Sequence, residues 1–479
     1  MPSKEELVDY VHAKQREIRI LADNHLNNID NERVQYNEIK KHVDGFCNTE
    51  NEYFNRFIMM PGLRGVGKTT ILYQIYQYLI NEKRIKNSNI LYLNLDDLKS
   101  AYDVGIQEIF EVYLEDIHQT IPASLSEKIF LLIDEAQLDE NWAKYGKLLF
   151  EKSYNIFMLI TGSSALDLEL NTDASRRITR KQIFPCNFQE YLLLKYNLNI
   201  EKNNFKDLIL RGDTESIDNA IISENIIKKD LINLNNDPKI EFIKFLHSQS
   251  FPFALNLDET EIHMLTNNMV KKIVNDDLTY FKTFNNITNN NIMRLLTYLA
   301  TKKPGQTSNI AIAQSLNISV KTVSKILSAL EQSQLIFTVN AYGSAGKMLK
   351  KPSQHFFQTP SIKAALNYRV GRYDLNHEKC FSVLFENLVA SYLSRLSHDT
   401  MSSLGLFYDA NKKGVDFIVK HLDKIIPIEV GIGKKTKSQL KIAKNKYDAD
   451  MGILISNRTS SIEFKNEILY IPLLTFALL

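Results

Sequence analysis

Residues 62–69, Gly-Leu-Arg-Gly-Val-Gly-Lys-Thr, satisfy the spacing G-x-x-x-x-G-K-[ST], and few stretches of eight residues constrain a fold so tightly. Glycines let successive backbone N–H groups turn inward around phosphate oxygens, and a helix must follow so that its N-terminal dipole faces the same anion. The flanks comply: the apolar run Phe57–Met60 precedes the loop and a helical pattern, Thr69–Asn81, follows it. The loop therefore predicts bound ATP, cradled by Gly62, Arg64, Gly65, Val66, Gly67, Lys68, Thr69 and Thr70. Lys68 would reach the β- and γ-phosphates, and the Thr69 hydroxyl would join a Mg2+ shell. The bland alternative is a tight strand-to-helix turn.

A second motif weighs against that alternative. "IFLLIDEAQ" (129–137) ends an apolar run in Asp134 and Glu135. Asp134, at the C-terminal edge of a strand, can hold Mg2+, and Glu135 can orient and deprotonate an attacking water. Short apolar runs at 57–60, 90–97, 128–135 and 155–164 alternate with helical patterns, which implies a parallel sheet covered on both faces. The run "ILYLNLDD" (90–97) is expected between the two motif-bearing strands, as in P-loop ATPases that use a glutamate base. "LITGSSA" ends the next strand, and Ser163 is the choice for a polar sensor of the γ-phosphate or the water. Helix N-capping explains such a serine equally well. Arg177, in "ASRRITRK", is a candidate for the arginine that a neighbouring subunit would lend to transition-state charge, which implies a homo-oligomer; a solvated arginine is the alternative.

The rest of the 479 residues exceeds one hydrophobic core. The expected divisions are an N-terminal helical segment (1–56), the ATPase core (57–187), a helical lid (188–284), a winged helix-turn-helix (285–354) and a mixed α/β domain (355–479). No apolar run reaches the roughly 18–20 residues that span a bilayer, so no membrane partner is expected. The charged N-terminus has no apolar h-region, and the three cysteines lack metal-ligand spacing; a cytoplasmic setting fits. Net charge is only +2, yet residues 285–479 hold 25 Lys and Arg against 13 Asp and Glu. A basic back half suggests a polyanion. Within it, 308–337 fits a helix-turn-helix. Asn309–Leu316 is the first helix and the second buries Val323, Ile326, Leu327 and Leu330, leaving Lys321, Thr322, Ser324 and Lys325 for a DNA groove. A hairpin wing over Tyr342–Lys351 would add Lys347. The alternative is a packing module without DNA.

The segments "RFIMMPGLRGVGKTTIL", "IFLLIDEAQLDENWAKYGKLLF", "FMLITGSSALDL" and "RRITRKQIFPCNFQEYL" resemble, in order and spacing, a family of prokaryotic ATPases of the AAA superfamily. Its members carry a C-terminal domain of unknown function with a restriction-endonuclease-like fold. The resemblance covers roughly residues 30–470 and implies that Arg177, eight residues before Pro185, is a fixed feature. Gln249-Ser250-Phe251-Pro252 departs from the family's Gly-Gly-Phe-Pro. The implied C-terminal fold would place Asp416 and Glu429, with Glu386 on the preceding helix, as a Mg2+ site. Gly431 stands where the catalytic lysine belongs, which argues against cleavage. The combined expectation is an ATP-hydrolysing AAA-type switch or motor that engages DNA. An ATP-gated Mg2+-dependent nuclease and a scaffold without DNA are the alternatives.

Overall fold

The computed structural model describes residues 2–48, 56–163, 176–200, 203–234, 236–278, 286–303, 308–372, 378–400, 403–411, 414–431 and 438–479. They fall into two compact units, Met1–Phe184 and Pro185–Leu479. Among the described residues no helix is long and apolar enough to cross a membrane.

The first unit is a five-stranded parallel sheet, β1 (Phe57–Pro61), β2 (Ile90–Asn94), β3 (Ile129–Asp134), β4 (Ile156–Gly162) and β5 (Thr179–Arg180), in the order β2-β3-β4-β1-β5. β1, β3 and β4 are buried along their whole length, which is why they read as unbroken apolar runs rather than alternating ones. Helices α1 (Lys4–Leu26), α2 (Val34–Asn48), α3 (Lys68–Asn81), α4 (Leu95–Ala101), α5 (Ile106–Val112) and α6 (Trp142–Lys152) accompany it. Leu7 and Val11 of α1 belong to the same core as Phe57, Leu131 and Met158. The predicted strand order needs correction. Among the described residues β2 pairs only with β3, at the sheet edge, and the strand between the two motif-bearing strands is β4. Four similar apolar strands carry no label for their neighbour. Order is set by where each crossover helix packs.

In the second unit, helices α7 (Phe188–Tyr196), α8 (Phe205–Leu210), α9 (Thr214–Ile232), α10 (Pro238–His247) and α11 (Glu259–Asn275) come first. Then follow α12 (Asn286–Thr301), α13 (Asn309–Leu316), α14 (Val320–Gln332), α15 (Ala345–Lys350), α16 (Pro360–Arg369), α17 (Glu378–Asp399), α18 (Ser438–Lys446) and α19 (Leu473–Phe476). The eight strands are β6 (Ile336–Ala341), β7 (Gln354–Phe357), β8 (Leu404–Tyr408), β9 (Phe417–His421), β10 (Lys424–Gly431), β11 (Gly452–Ser456), β12 (Glu463–Lys465) and β13 (Ile468–Pro472). They form one mixed sheet, β12-β13-β11-β10-β9-β8-β6-β7.

Two features of this unit differ from a chain of independent modules. Phe188, Tyr191, Phe242 and Phe245, in the segment expected as a lid, share one core with Leu388, Ile428 and Ile453. Buried Glu224 of α9 holds the C-terminal segment, accepting from the Ile462 N–H just before β12 at 2.9 Å and from the Thr475 hydroxyl of α19 at 2.6 Å. The sheet also runs continuously across residue 354: β6 pairs antiparallel with β7 and parallel with β8. The expected glycine hairpin at 342–351 is instead a bend followed by α15. Ala, Lys, Met and Leu in that stretch are strong helix formers and outweigh its glycines.

Candidate active site

β1 delivers the chain to Gly62, which donates its N–H to the Gly162 carbonyl at 3.3 Å. A side chain at this position would meet the Ile183 carbonyl oxygen at 2.5 Å, so only glycine lets the loop lie so close to the neighbouring backbone. Gly65 and Gly67 take left-handed φ of 79° and 89°, a conformation an L side chain resists. Gly67 is also the N-cap of α3 and supplies no side chain to it, leaving the first N–H groups of that helix for an anion. Lys68 is 5% exposed, and its ammonium donates to the Gly62 and Leu63 carbonyls at 3.0 Å each. A buried cation inside a ring of amides fits a triphosphate.

Asp134 and Thr69 meet opposite this loop. The carboxylate accepts from the Thr69 hydroxyl at 2.6 Å and, on its other oxygen, from the Thr161 hydroxyl. It is 1% exposed. Burial and then the adjacent Glu135 charge push its pKa up, while the two hydroxyls and Lys68 oppose them. An oxygen pair in so desolvated a place favours a cation, and Thr69 with Asp134 is a donor set suited to Mg2+.

Glu135 follows at a left-handed φ of 55°. Gln137 was not singled out by the sequence, yet its amide donates to the Glu135 carboxylate at 2.5 Å and its carbonyl accepts from the Ser163 N–H at 3.1 Å. At 2% exposure this side chain ties the end of β3 to the end of β4. The position of β4 beside β3 makes that link reachable. The amide in "DEAQ" is visible in the sequence, but its second partner lies 26 residues away.

The N-terminal segment also reaches the loop. Arg33, 5% exposed, donates to the Val66 carbonyl within the loop and to the Phe184 carbonyl at 3.0 Å. The His25 ring lies 2.8 Å from the Thr70 hydroxyl, and burial lowers the His25 pKa. No motif announces either residue. Arg64 is half-buried on the loop. Arg177 makes an ion pair with Glu151 of α6 at 2.6 Å.

The second unit assembles its expected residues less fully. α13 and α14 form where the spacing predicts, capped by Ser308 and Ser319, with Asn317 turning between them at φ 55°. Lys321, Ser324 and Lys325 are exposed. Thr322 and Ser324 are less available than their exposure suggests. The Thr322 hydroxyl is 2.8 Å from that of Ser319, and the Ser324 hydroxyl accepts from Asn309 at 3.2 Å. The Lys347 side chain lies outside the described residues. Asp416 and Glu429 stand together: Asp416 accepts from the Val430 N–H at 2.8 Å, and Glu429 from the Asp416 N–H at 3.3 Å. Glu386 does not complete a triad with them. Among the described residues no three His, Cys, Asp or Glu side chains could hold a metal ion, and the charge of Glu386 is felt instead by Lys363. Lys434 and Lys435, which follow Gly431 in sequence and would be the lysines to stand in for the missing one, lie outside the described residues.

Residues 54–192 match the model of the AAA domain family, 249–370 a domain of unknown function (DUF8612) and 381–476 another (DUF4143). An uncharacterised protein of Methanocaldococcus jannaschii is 32% identical over 456 residues, covering 94% of this chain and 90% of its own. One from Haemophilus influenzae is 24% identical over 406 residues, covering 82% and 84%. Among solved structures, the Aeropyrum pernix ORC1 protein in complex with DNA aligns at TM-score 0.29 and 12% identity, over 70% of this chain and 92% of that one. The AMPPCP-bound DnaA of Aquifex aeolicus aligns at 0.26 and 16%, over 63% and 88%. Superpositions this loose carry no weight for function.

Proposed function

Since the chain belongs to the same family as the Methanocaldococcus jannaschii protein and carries an AAA-type P-loop ATPase domain, we propose that it hydrolyses ATP and uses the nucleotide state to control engagement of DNA. The observation that carries the first half is the convergence of Lys68, Thr69, Asp134 and Glu135 at the C-terminal edge of one parallel sheet. The loop amides and Lys68 bind and orient the phosphates. Thr69 and Asp134 would hold Mg2+, which supplies charge neutralisation on the phosphate oxygens when bound. Glu135 takes the proton of the attacking water, and Gln137 fixes the direction of its carboxylate. Holding all partners in place before reaction removes orientational entropy from the barrier. Arg177, released from Glu151, would serve a neighbouring subunit's γ-phosphate in a homo-oligomer.

The DNA half rests on the basic balance of residues 285–479 and on Lys321 and Lys325, exposed on α14. In this reading residues 285–354 act as a winged helix-turn-helix, 188–284 as a helical lid, and 355–479 as a nuclease-like domain without cleavage. The bonds that occupy Thr322 and Ser324 favour a second reading, in which α14 is a packing element of a nucleotide-dependent scaffold. Turnover of Mg2+-ATP measured with and without duplex DNA tests both halves. Turnover stimulated several-fold supports the proposal. Turnover indifferent to DNA, with no retention of DNA at about 50 mM salt, leaves the scaffold.

A further inference from the structure

We infer that an arginine-lined groove on the second unit binds the phosphodiester backbone of DNA, separately from the lysines of α14. This rests on the DNA reading above and gives it a second surface. The groove lies between α12, the end of α13 and α16, and encloses about 490 Å³. Arg294, Arg369 and Arg372 line it, with Tyr298, Thr297 and Asn290. No carboxylate lines it among the described residues, although acids nearly equal bases in the whole chain, 56 against 58.

All three arginines are exposed. Among the described residues Arg294 bonds only the Asn291 amide oxygen, at 3.2 Å, and neither Arg369 nor Arg372 has an ion-pair partner. A cation in the last turn of a helix complements its dipole, which accounts for Arg369 at the end of α16. It accounts for neither Arg294, inside α12, nor Arg372, beyond the helix end. Three like charges drawn from stretches 75 residues or more apart in sequence repel one another, and a bound polyanion relieves that repulsion. Planar guanidinium forks match phosphate oxygens two at a time, and the Lys302 ammonium, 5.7 Å from the centroid of the Tyr298 ring, adds a further cation beside them.

The neighbouring cavity, about 270 Å³, shares Thr301 and Arg372 with the groove and adds Lys303, Lys363 and His247. Lys363 is itself a structural residue. Its ammonium closes the end of α12 by donating to the Leu299 and Lys302 carbonyls at 3.2 and 3.1 Å. Burial lowers its pKa to about 8 while the Glu386 charge opposes the shift, so it remains largely charged at neutral pH.

Binding of a short labelled duplex and of a single strand to the full chain, followed by anisotropy between about 50 and 200 mM salt, tests the groove. Each phosphate contact removed should lower the salt slope by about 1. Arg369→Ala combined with Arg372→Ala should therefore flatten it by about 2 and weaken binding roughly tenfold or more at low salt. Arg369→Lys with Arg372→Lys should restore the slope while recovering only part of the affinity, because charge returns without the fork. A wild-type slope in the double-alanine chain, at an unchanged unfolding midpoint, overturns the groove and leaves the lysines of α14 standing. Release of DNA by polyglutamate of equal charge as readily as by unlabelled DNA overturns the choice of ligand. No binding of either strand form by the wild-type chain overturns the DNA reading itself, and the groove with it.

Discussion

The nucleotide site of the first unit and the arginine groove of the second solve opposite electrostatic problems. Around the loop, Lys68, Asp134 and Gln137 are nearly solvent-free and bonded to one another's neighbourhood. In the groove, Arg369 and Arg372 are exposed, and among the described residues no acid lines it. Buried charges need fixed partners and hold a geometry. Exposed charges keep their freedom and act through a field that salt screens. The first arrangement suits chemistry on one triphosphate; the second suits a long anion whose position along the surface can vary.

That contrast can be broken experimentally, most sharply at the loop. Glu135→Gln should retain ATP and lower turnover by about a thousandfold, the usual worth of a general base; single-turnover hydrolysis with a parallel binding titration reads both. Lys68→Ala should weaken ATP about a hundredfold, the scale of a lost charge-assisted bond, seen as lost heat in calorimetry. Gln137→Ala should cut kcat roughly tenfold or more with KM unchanged, since one hydrogen bond to a charged carboxylate, worth about 1.5–3 kcal/mol, sets the Glu135 direction. An equal rise in KM would assign Gln137 to nucleotide binding instead. Lys321→Ala with Lys325→Ala should leave turnover without DNA intact and reduce the salt slope of DNA binding by about 2.

A further effect concerns pH and acts on folding rather than on either site. Burial lowers the pKa of both His247 and His355, in the second unit, to about 4. The unfolded chain protonates these rings near the ordinary value of about 6.5. Stability is therefore full above that value and falls as pH drops from about 6.5 toward 4, where the unfolded state binds more protons. Thermal melts across that range should show a declining midpoint. Replacing both rings by glutamine should flatten the decline.

The legible part of the molecule was local. Gly62, Gly65 and Gly67 announce the loop because backbone curvature demands glycine at those points, and Asp134 and Glu135 announce themselves by ending an apolar strand. The apolar spacing through Asn309–Leu316 and through Val323, Ile326, Leu327 and Leu330 likewise marks α13 and α14. What escaped was pairing at a distance. Arg33 lies 33 residues before the Val66 carbonyl it holds, and Glu386 sits in sequence where a third ligand belongs but does not join Asp416 and Glu429. Residues 342–351 failed for another reason: two glycines suggested a turn, while the helix formers around them set the backbone.

Short-range patterns alone thus set the anion cradle, the alternation that yields a buried parallel sheet, and the basic balance of residues 285–479. Each follows from short-range rules of backbone conformation, burial period or charge. Only the tertiary structure decided that β4, not β2, separates the motif-bearing strands, that helices α7 to α10 share a core with the C-terminal sheet, and that three separate arginines face one groove. Packing between distant segments selects among many arrangements of similar apolar surface, and no local pattern carries the address of its partner.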